Sequence, residues 1–187
     1  MVIKEDGKEK RIGFTGDLGK SNSPLVPNPV PFKDLDFLLT ESTYGGSFHK
    51  CKLTPMEELE RLIKEALIND YSRLVIPAFS VGRTQDILFT INKLFDAGIV
   101  PRCKVYTDSP LAIKSTEVYD ANLGYMNRTA QDFYGQGKEL FDFAGLYVIR
   151  DRKSADMVKN NNEPHIIVSA AGMVEGGRIK EHIRNNI

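Results

Sequence analysis

Residues 74–98 read L-V-I-P-A-F-S-V-G-R-T-Q-D-I-L-F-T-I-N-K-L-F-D-A-G, and the change of rhythm inside this stretch decides the fold. Leu74 to Phe79 is a short apolar run of strand character. Ser80-Val81-Gly82-Arg83 interrupts it, after which Ile87, Leu88, Ile91, Leu94 and Phe95 recur at helical spacing. Gly98 closes that helix as a C-cap. The unit of strand, polar loop and amphipathic helix then repeats.

Downstream, Lys104 to Thr107 is a strand and Ser109-Pro110 caps the helix after it. Ala121 to Ala144 is aromatic-rich and expected to be helical, with an irregular stretch around Gly135-Gln136-Gly137. Leu146 to Arg150 is a strand, Lys153 to Lys159 a short helix, and His165 to Ser169 the last strand. That strand leads through Ala170-Ala171-Gly172-Met173 into a closing helix. Upstream, Thr54 is an N-cap, Pro55 the first helical residue, and Glu57 completes a capping box. Met56, Leu59, Leu62, Ile63, Ala66 and Leu67 give that helix one apolar stripe. Two short strands, Arg11 to Phe14 and Asp36 to Thr40, come first. The loop between them, Lys20 to Pro31, holds four prolines that forbid regular structure. The expected fold is α/β: a mostly parallel sheet with right-handed crossovers, flanked by helices.

A chain of 187 residues can bury one good core with a short extra segment. Twenty-five basic residues balance twenty-five acidic ones, so no global field draws the chain to nucleic acid. Any phosphate site must be built locally, from backbone N–H groups and a few arginines. Cys51 and Cys103 lack C-x-x-C spacing, which argues against a disulfide framework or zinc knuckle and for a reducing, cytoplasmic setting. No segment approaches the roughly 20 apolar residues of a membrane span, and the first ten residues hold no signal-peptide core. The chain starts just before a strand and stops inside a predicted helix, so both ends read as cuts in a longer protein.

Parallel sheets bind ligands at the carboxyl ends of their strands. The loops expected there carry Ser80, Gly82, Arg83, Asp108, Ser109, Ser169, Gly172, Gly176, Gly177 and Arg178. Small, hydroxylated and basic residues let backbone N–H groups approach phosphates. Each loop alone could be an ordinary turn; three together, two with an arginine, favour a phosphate-facing surface. Two carboxylates also end strands: Asp17 in T-G-D-L-G and Glu41 in E-S-T-Y-G-G. Singly, each is compatible with a turn or cap role.

T-G-D followed about two dozen residues later by L-L-T-E-S-T-Y-G resembles the metallo-β-lactamase/β-CASP family of RNA nucleases. I-P-A-F-S-V-G-R-T-Q-D-I-L, Y-T-D-S-P-L-A and V-S-A-A-G-M-V-E-G-G-R-I-K-E-H-I continue the resemblance in order along nearly the whole chain. The resemblance implies that Asp17 matches an aspartate bridging two zinc ions, and that Glu41 orients a histidine near the scissile phosphate. It also implies that Ser80, Gly82 and Arg83 face the RNA backbone, with Ser109, Ser169, Gly172, Gly177 and Arg178 lining the same cleft. Residues 1–45 would be a remnant of the metallo-β-lactamase domain and 46–187 the β-CASP domain. The partner would be single-stranded RNA, and a homodimer of the longer protein is a further expectation.

Two departures matter. Gly46-Ser47-Phe48 stands before His49 where relatives often carry an acidic–basic pair. The family's H-x-H-x-D-H motif should precede Asp17, yet only sixteen residues do, without a histidine. The S-x-H segment and final metal-binding histidine are also missing. A catalytic zinc needs several side-chain ligands plus an open water position, so no tightly bound zinc and no nuclease activity are expected of this stretch alone. Of the three histidines, His165 is read as a surface or turn residue and His182 as a cation near a helix C-terminus; His49 carries slightly more functional weight. Tyr119, Tyr125, Phe133, Tyr134, Phe141 and Phe143 are read mainly as core, with base stacking as the alternative. Two other functions stand beside the preferred one: a non-catalytic nucleic-acid-binding or assembly module, and a small-molecule phosphate or nucleotide binder. The second lacks a G-x-G-x-x-G or P-loop fingerprint.

Overall fold

A computed structural model describes residues 1–47 and 53–186. Its main sheet has four strands: β4 (Arg73–Pro77), β5 (Lys104–Asp108), β6 (Leu146–Val148) and β7 (His165–Ser169). They run parallel in the order β4-β7-β5-β6. Parallel neighbours cannot be joined by a tight turn, so helices carry the crossovers. α2 (Arg83–Asp96) joins β4 to β5, α3 (Pro110–Ala121) and α4 (Arg128–Gly135) lie between β5 and β6, and α5 (Arg152–Lys159) joins β6 to β7. α1 (Pro55–Ala66) precedes the sheet and α6 (Ile179–Asn186) follows it. The expected α/β architecture is the one observed.

The central strand β7 is buried at all five positions. Its residues alternate between two cores, as the period of a strand requires. Ile166 and Val168 pack in the larger core with Leu88, Phe89 and Ile91 of α2. Ile167 meets Tyr106, Ile149 and Val158 on the opposite face. Coverage on both faces explains why this strand is apolar without a polar side.

Local signals positioned the helices well. Thr54 Oγ1 accepts from the Glu57 N–H at 3.3 Å, and the Glu57 carboxylate accepts from the Thr54 N–H at 2.7 Å. At the end of α2, Ile99 N–H reaches Leu94 O at 3.0 Å and Gly98 N–H reaches Phe95 O at 3.2 Å. Gly98 has φ +65°, which completes a Schellman motif. The 121–144 region is less helical than expected: a 3-10 turn covers Leu123–Tyr125 and α4 ends at Gly135. Beyond it, Asn92 Nδ2 donates to Glu139 O at 2.8 Å and Leu140 O at 3.0 Å. This side-chain amide satisfies carbonyls that a helix would have used.

The N-terminal strands form a separate three-stranded sheet: β1 (Val2–Glu5), β2 (Lys8–Phe14) and β3 (Phe37–Leu39). β2 and β3 are parallel, while β1 pairs antiparallel to β2. The sequence reading missed β1. Its signal was Asp6-Gly7, both with positive φ (48° and 73°), the pair that two-residue hairpins require. The proline-rich loop is irregular, yet Leu25 within it is fully buried in the larger core. Asn127 fixes it there, donating through Nδ2 to Ser23 O at 2.8 Å while its N–H bonds Leu25 O at 2.7 Å.

Candidate functional site

Parallel register brings the carboxyl ends of three strands level. Ser169 of β7 stands opposite both Pro77 of β4 and Asp108 of β5. Ser169 Oγ donates to Asp108 O at 3.1 Å, and Ser80 Oγ lies 2.9 Å from Ser109 Oγ. Ser109 also caps α3 by accepting from Ala112 N–H at 3.2 Å. Ser109 and Ser169 are buried, so their hydroxyls tie loops together, whereas Ser80 remains partly exposed.

Gly82 caps α2 with φ +79°, a conformation that strains any residue bearing a Cβ. Gln85, fully buried, accepts from the Gly82 N–H at 2.8 Å. Its amide nitrogen lies 3.2 Å from both Ser80 O and Ala112 O and 3.1 Å from Thr116 Oγ1. Gln85 thus latches the Ser80–Arg83 loop to α3. Its place three residues after Gly82, at the N3 position that a capping box gives to Glu or Gln, was the available signal, and sequence reasoning did not use it.

The strongest polar cluster centres on Asp108. Arg178 Nη1 lies 2.6 Å from Asp108 Oδ1, and His182 Nε2 lies 2.7 Å from Oδ2. Burial alone would push the Asp108 carboxyl up, but the hydrogen bonds from His182 and Arg178 outweigh it and hold it below the usual carboxylate range. An ionised carboxylate only accepts, so His182 carries its proton on Nε2. The Arg178 side chain is 43% exposed against 4% for Asp108, which makes it an anchored cation facing solvent. Both partners, with Asp151, Lys159 and Glu181, line a cavity of about 590 Å³ between α5 and α6. The glycine-rich stretch before Arg178 is closely packed. A Cβ on Gly177 would sit 2.4 Å from Ala170 O, and one on Gly172 would sit 3.2 Å from the Phe79 ring.

Arg83 is exposed at the first turn of α2 and lines a different cavity, of about 400 Å³, with Lys20, Asp86 and apolar residues of α1. The two arginines therefore face separate cavities. Asp17 is exposed at the end of β2. Glu41 links its own loop, after β3, to the Asp17 loop that follows β2: Oε1 accepts from Leu18 N–H and Oε2 from Thr43 N–H, both at 3.1 Å. Hydrogen bonding from Thr43, then from Leu18, holds the Glu41 carboxyl below its ordinary value. The two motif carboxylates are thus brought to adjoining loops.

Zinc, which the resemblance implies, does not fit the residues present. Among the described residues no group of three or more His, Cys, Asp or Glu side chains could hold a metal ion. His49 lies outside the described residues. The other histidine readings need correction. His165 is fully buried, bonding Glu163 O through Nδ1 at 2.7 Å, and burial lowers its pKa. Pro164 suggested a turn, but His165 is already the first residue of β7, a strand buried at every position. His182 is also buried and sits mid-helix, where its role is the bond to Asp108 across 74 residues of sequence. Of the aromatic cluster, Phe133 and Phe141 are core and Tyr119 and Phe143 pack against it, while Tyr125 is exposed. Among the described residues no helix is long and apolar enough to cross a membrane.

A family model described as the Beta-Casp domain matches residues 84–187, more than half of the chain. A ribonuclease of Thermus thermophilus is 29% identical over 186 residues, covering 99% of this chain and 42% of the relative. An RNase J-like protein of Methanocaldococcus jannaschii is 30% identical, covering 98% and 42%. A transcription termination factor of Methanococcus maripaludis is 26% identical, covering 93% and 28%. The chain spans less than half the length of each.

Proposed function

The chain belongs to the Beta-Casp domain family, and from that premise we propose that it grips single-stranded RNA for a zinc-dependent RNA phosphodiester hydrolase. The observation that carries this reading is the half-exposed Arg178 guanidinium, oriented by a buried carboxylate at the sheet's carboxyl edge. A cation held this way meets a phosphate without first losing side-chain freedom. Arg83, exposed beside the Gly82 cap of α2, supplies a second phosphate contact. Ser80 and the backbone around Gly172 and Gly177 complete the surface, while Ser109 and Ser169 hold its loops in register. Glu41, kept ionised by its two backbone donors, orients the general acid.

Residues 1–45 form part of the metallo-β-lactamase domain. The small N-terminal sheet, with Phe14, Phe37 and Leu39 each more than half exposed, is consistent with packing against more of that domain. Among the described residues only Asp17 matches a zinc ligand of the family, which supports the reading that this stretch alone is inactive. Its two cysteines fit a reducing cytoplasm.

The test is a titration of the chain with single-stranded RNA and with mononucleotides. The expected result is a clear preference for the polymer, since several phosphates are gripped at once. Equal or better binding of mononucleotides would replace this reading with that of a small nucleotide binder. Sequencing the complete reading frame separates a nuclease from a non-catalytic relative: the former carries H-x-H-x-D-H upstream.

A further inference from the structure

We infer that the cavity between the proline-rich loop, α1 and α2 takes one unpaired nucleobase of the RNA strand whose phosphates Arg83 holds. This rests on the RNA reading above and adds a site to it.

The cavity measures about 400 Å³, within the range of small-ligand pockets and ample for a single base. Leu59 and Leu62 of α1, Ile87 of α2 and Pro24 of the loop give it apolar walls. Such surfaces favour a flat aromatic body. Asp86 interrupts them. Its Oδ1 accepts from Ser23 Oγ at 3.3 Å, and among the described residues no side chain donates to Oδ2. Burial in these surroundings pushes the Asp86 carboxyl up, against the opposing field of Arg83. A half-buried acceptor with spare capacity calls for an N–H donor from the ligand.

At the rim stand two cations, Arg83 and Lys20. The other carboxylate on the wall, Glu58, is already bound to Arg61 at 2.7 Å and does not oppose an anion. The ligand that matches has a flat apolar body, an amine on its edge and negative charge attached outside. A nucleotide unit of RNA has all three. Cytosine, adenine and guanine carry an exocyclic amine that a carboxylate can accept from; uracil offers only its N3–H, flanked by two carbonyl oxygens that repel a carboxylate.

The experiment measures binding of fluorescent RNA hexamers to the 187-residue chain: oligocytidine, oligouridine and an abasic ribose-phosphate hexamer. Oligocytidine should bind roughly tenfold tighter than the abasic hexamer, with oligouridine between them. Ile87→Trp fills the cavity and should erase the gain from bases while leaving abasic affinity unchanged. Asp86→Asn should remove the preference for cytidine over uridine; it preserves shape and serves if the tryptophan variant misfolds, as judged by circular dichroism. Equal binding of oligocytidine and the abasic hexamer would overturn the base site while leaving the phosphate grip intact. Preserved base dependence in both folded variants would also overturn it, moving the bases elsewhere. No binding to any hexamer would remove the RNA reading itself.

Discussion

Replacing Asp108 by asparagine keeps the volume of the side chain and deletes its charge, which isolates what the buried carboxylate does. The carboxylate accepts two charge-assisted hydrogen bonds, at 2.6 Å from Arg178 and 2.7 Å from His182. An asparagine oxygen can keep one of them in weaker form, while its NH₂ confronts the other donor. Arg178 is 43% exposed, so water replaces much of what it loses. His182 is 11% exposed at its side chain, and leaving its Nε2–H unpaired costs about 1–3 kcal/mol. The relief of desolvating a charge offsets part of this. The net expectation is a loss of about 2 kcal/mol, a fall in Tm of roughly 4–8 °C for a domain of this size.

The pH dependence supplies a second reading. Because the folded pKa of Asp108 is depressed, its stabilisation is full above the unfolded carboxylate range and fades as pH falls through the folded value. Thermal unfolding followed by circular dichroism at pH 7 and in the acid range therefore shows a shallower acid limb for Asp108→Asn than for the parent. Equal stability at pH 7, with parallel acid limbs, would refute the assignment of Asp108 as the ionised centre of this cluster.

Three further outcomes follow from local geometry. Gly177→Ala, at φ +76° with its Cβ 2.4 Å from Ala170 O, should destabilise the chain by more than about 1–2 kcal/mol in thermal melts and weaken RNA binding as the loop shifts. Thr54→Ala removes the reciprocal cap of α1 and should cost about 1 kcal/mol of stability; an unchanged melting curve would mean that this end of the helix is frayed. Burial pushes the Cys103 thiol up to about 11, so it stays protonated at pH 8. Peptide mapping after iodoacetamide should find it labelled slowly in the folded chain and rapidly in denaturant.

What was legible in the sequence followed the range of the interaction. The capping box at Thr54–Glu57, the C-cap at Gly98 and the boundaries of β7 depend on residues a few positions apart, and these agreed. The parallel sheet followed from the alternation of strands and helices. The misses come from contacts between distant residues. His182 looked like a surface cation because its partner, Asp108, is 74 positions away. Leu25 is buried in the larger core, in a loop that Asn127, 102 positions on, ties down. No helix resumed after the irregular stretch expected at Gly135-Gln136-Gly137, where Asn92 offers the carbonyls of Glu139 and Leu140 another partner. The missed hairpin at Asp6-Gly7 is different, since its signal was local and present.

The phosphate grip is tested most directly by the salt dependence of single-stranded RNA binding, for the parent chain and for Arg83→Ala and Arg178→Ala. Each lost contact should lower the slope of log K against log salt by about 0.7 and weaken binding at low salt. Slopes and affinities equal to those of the parent in both variants would contradict it.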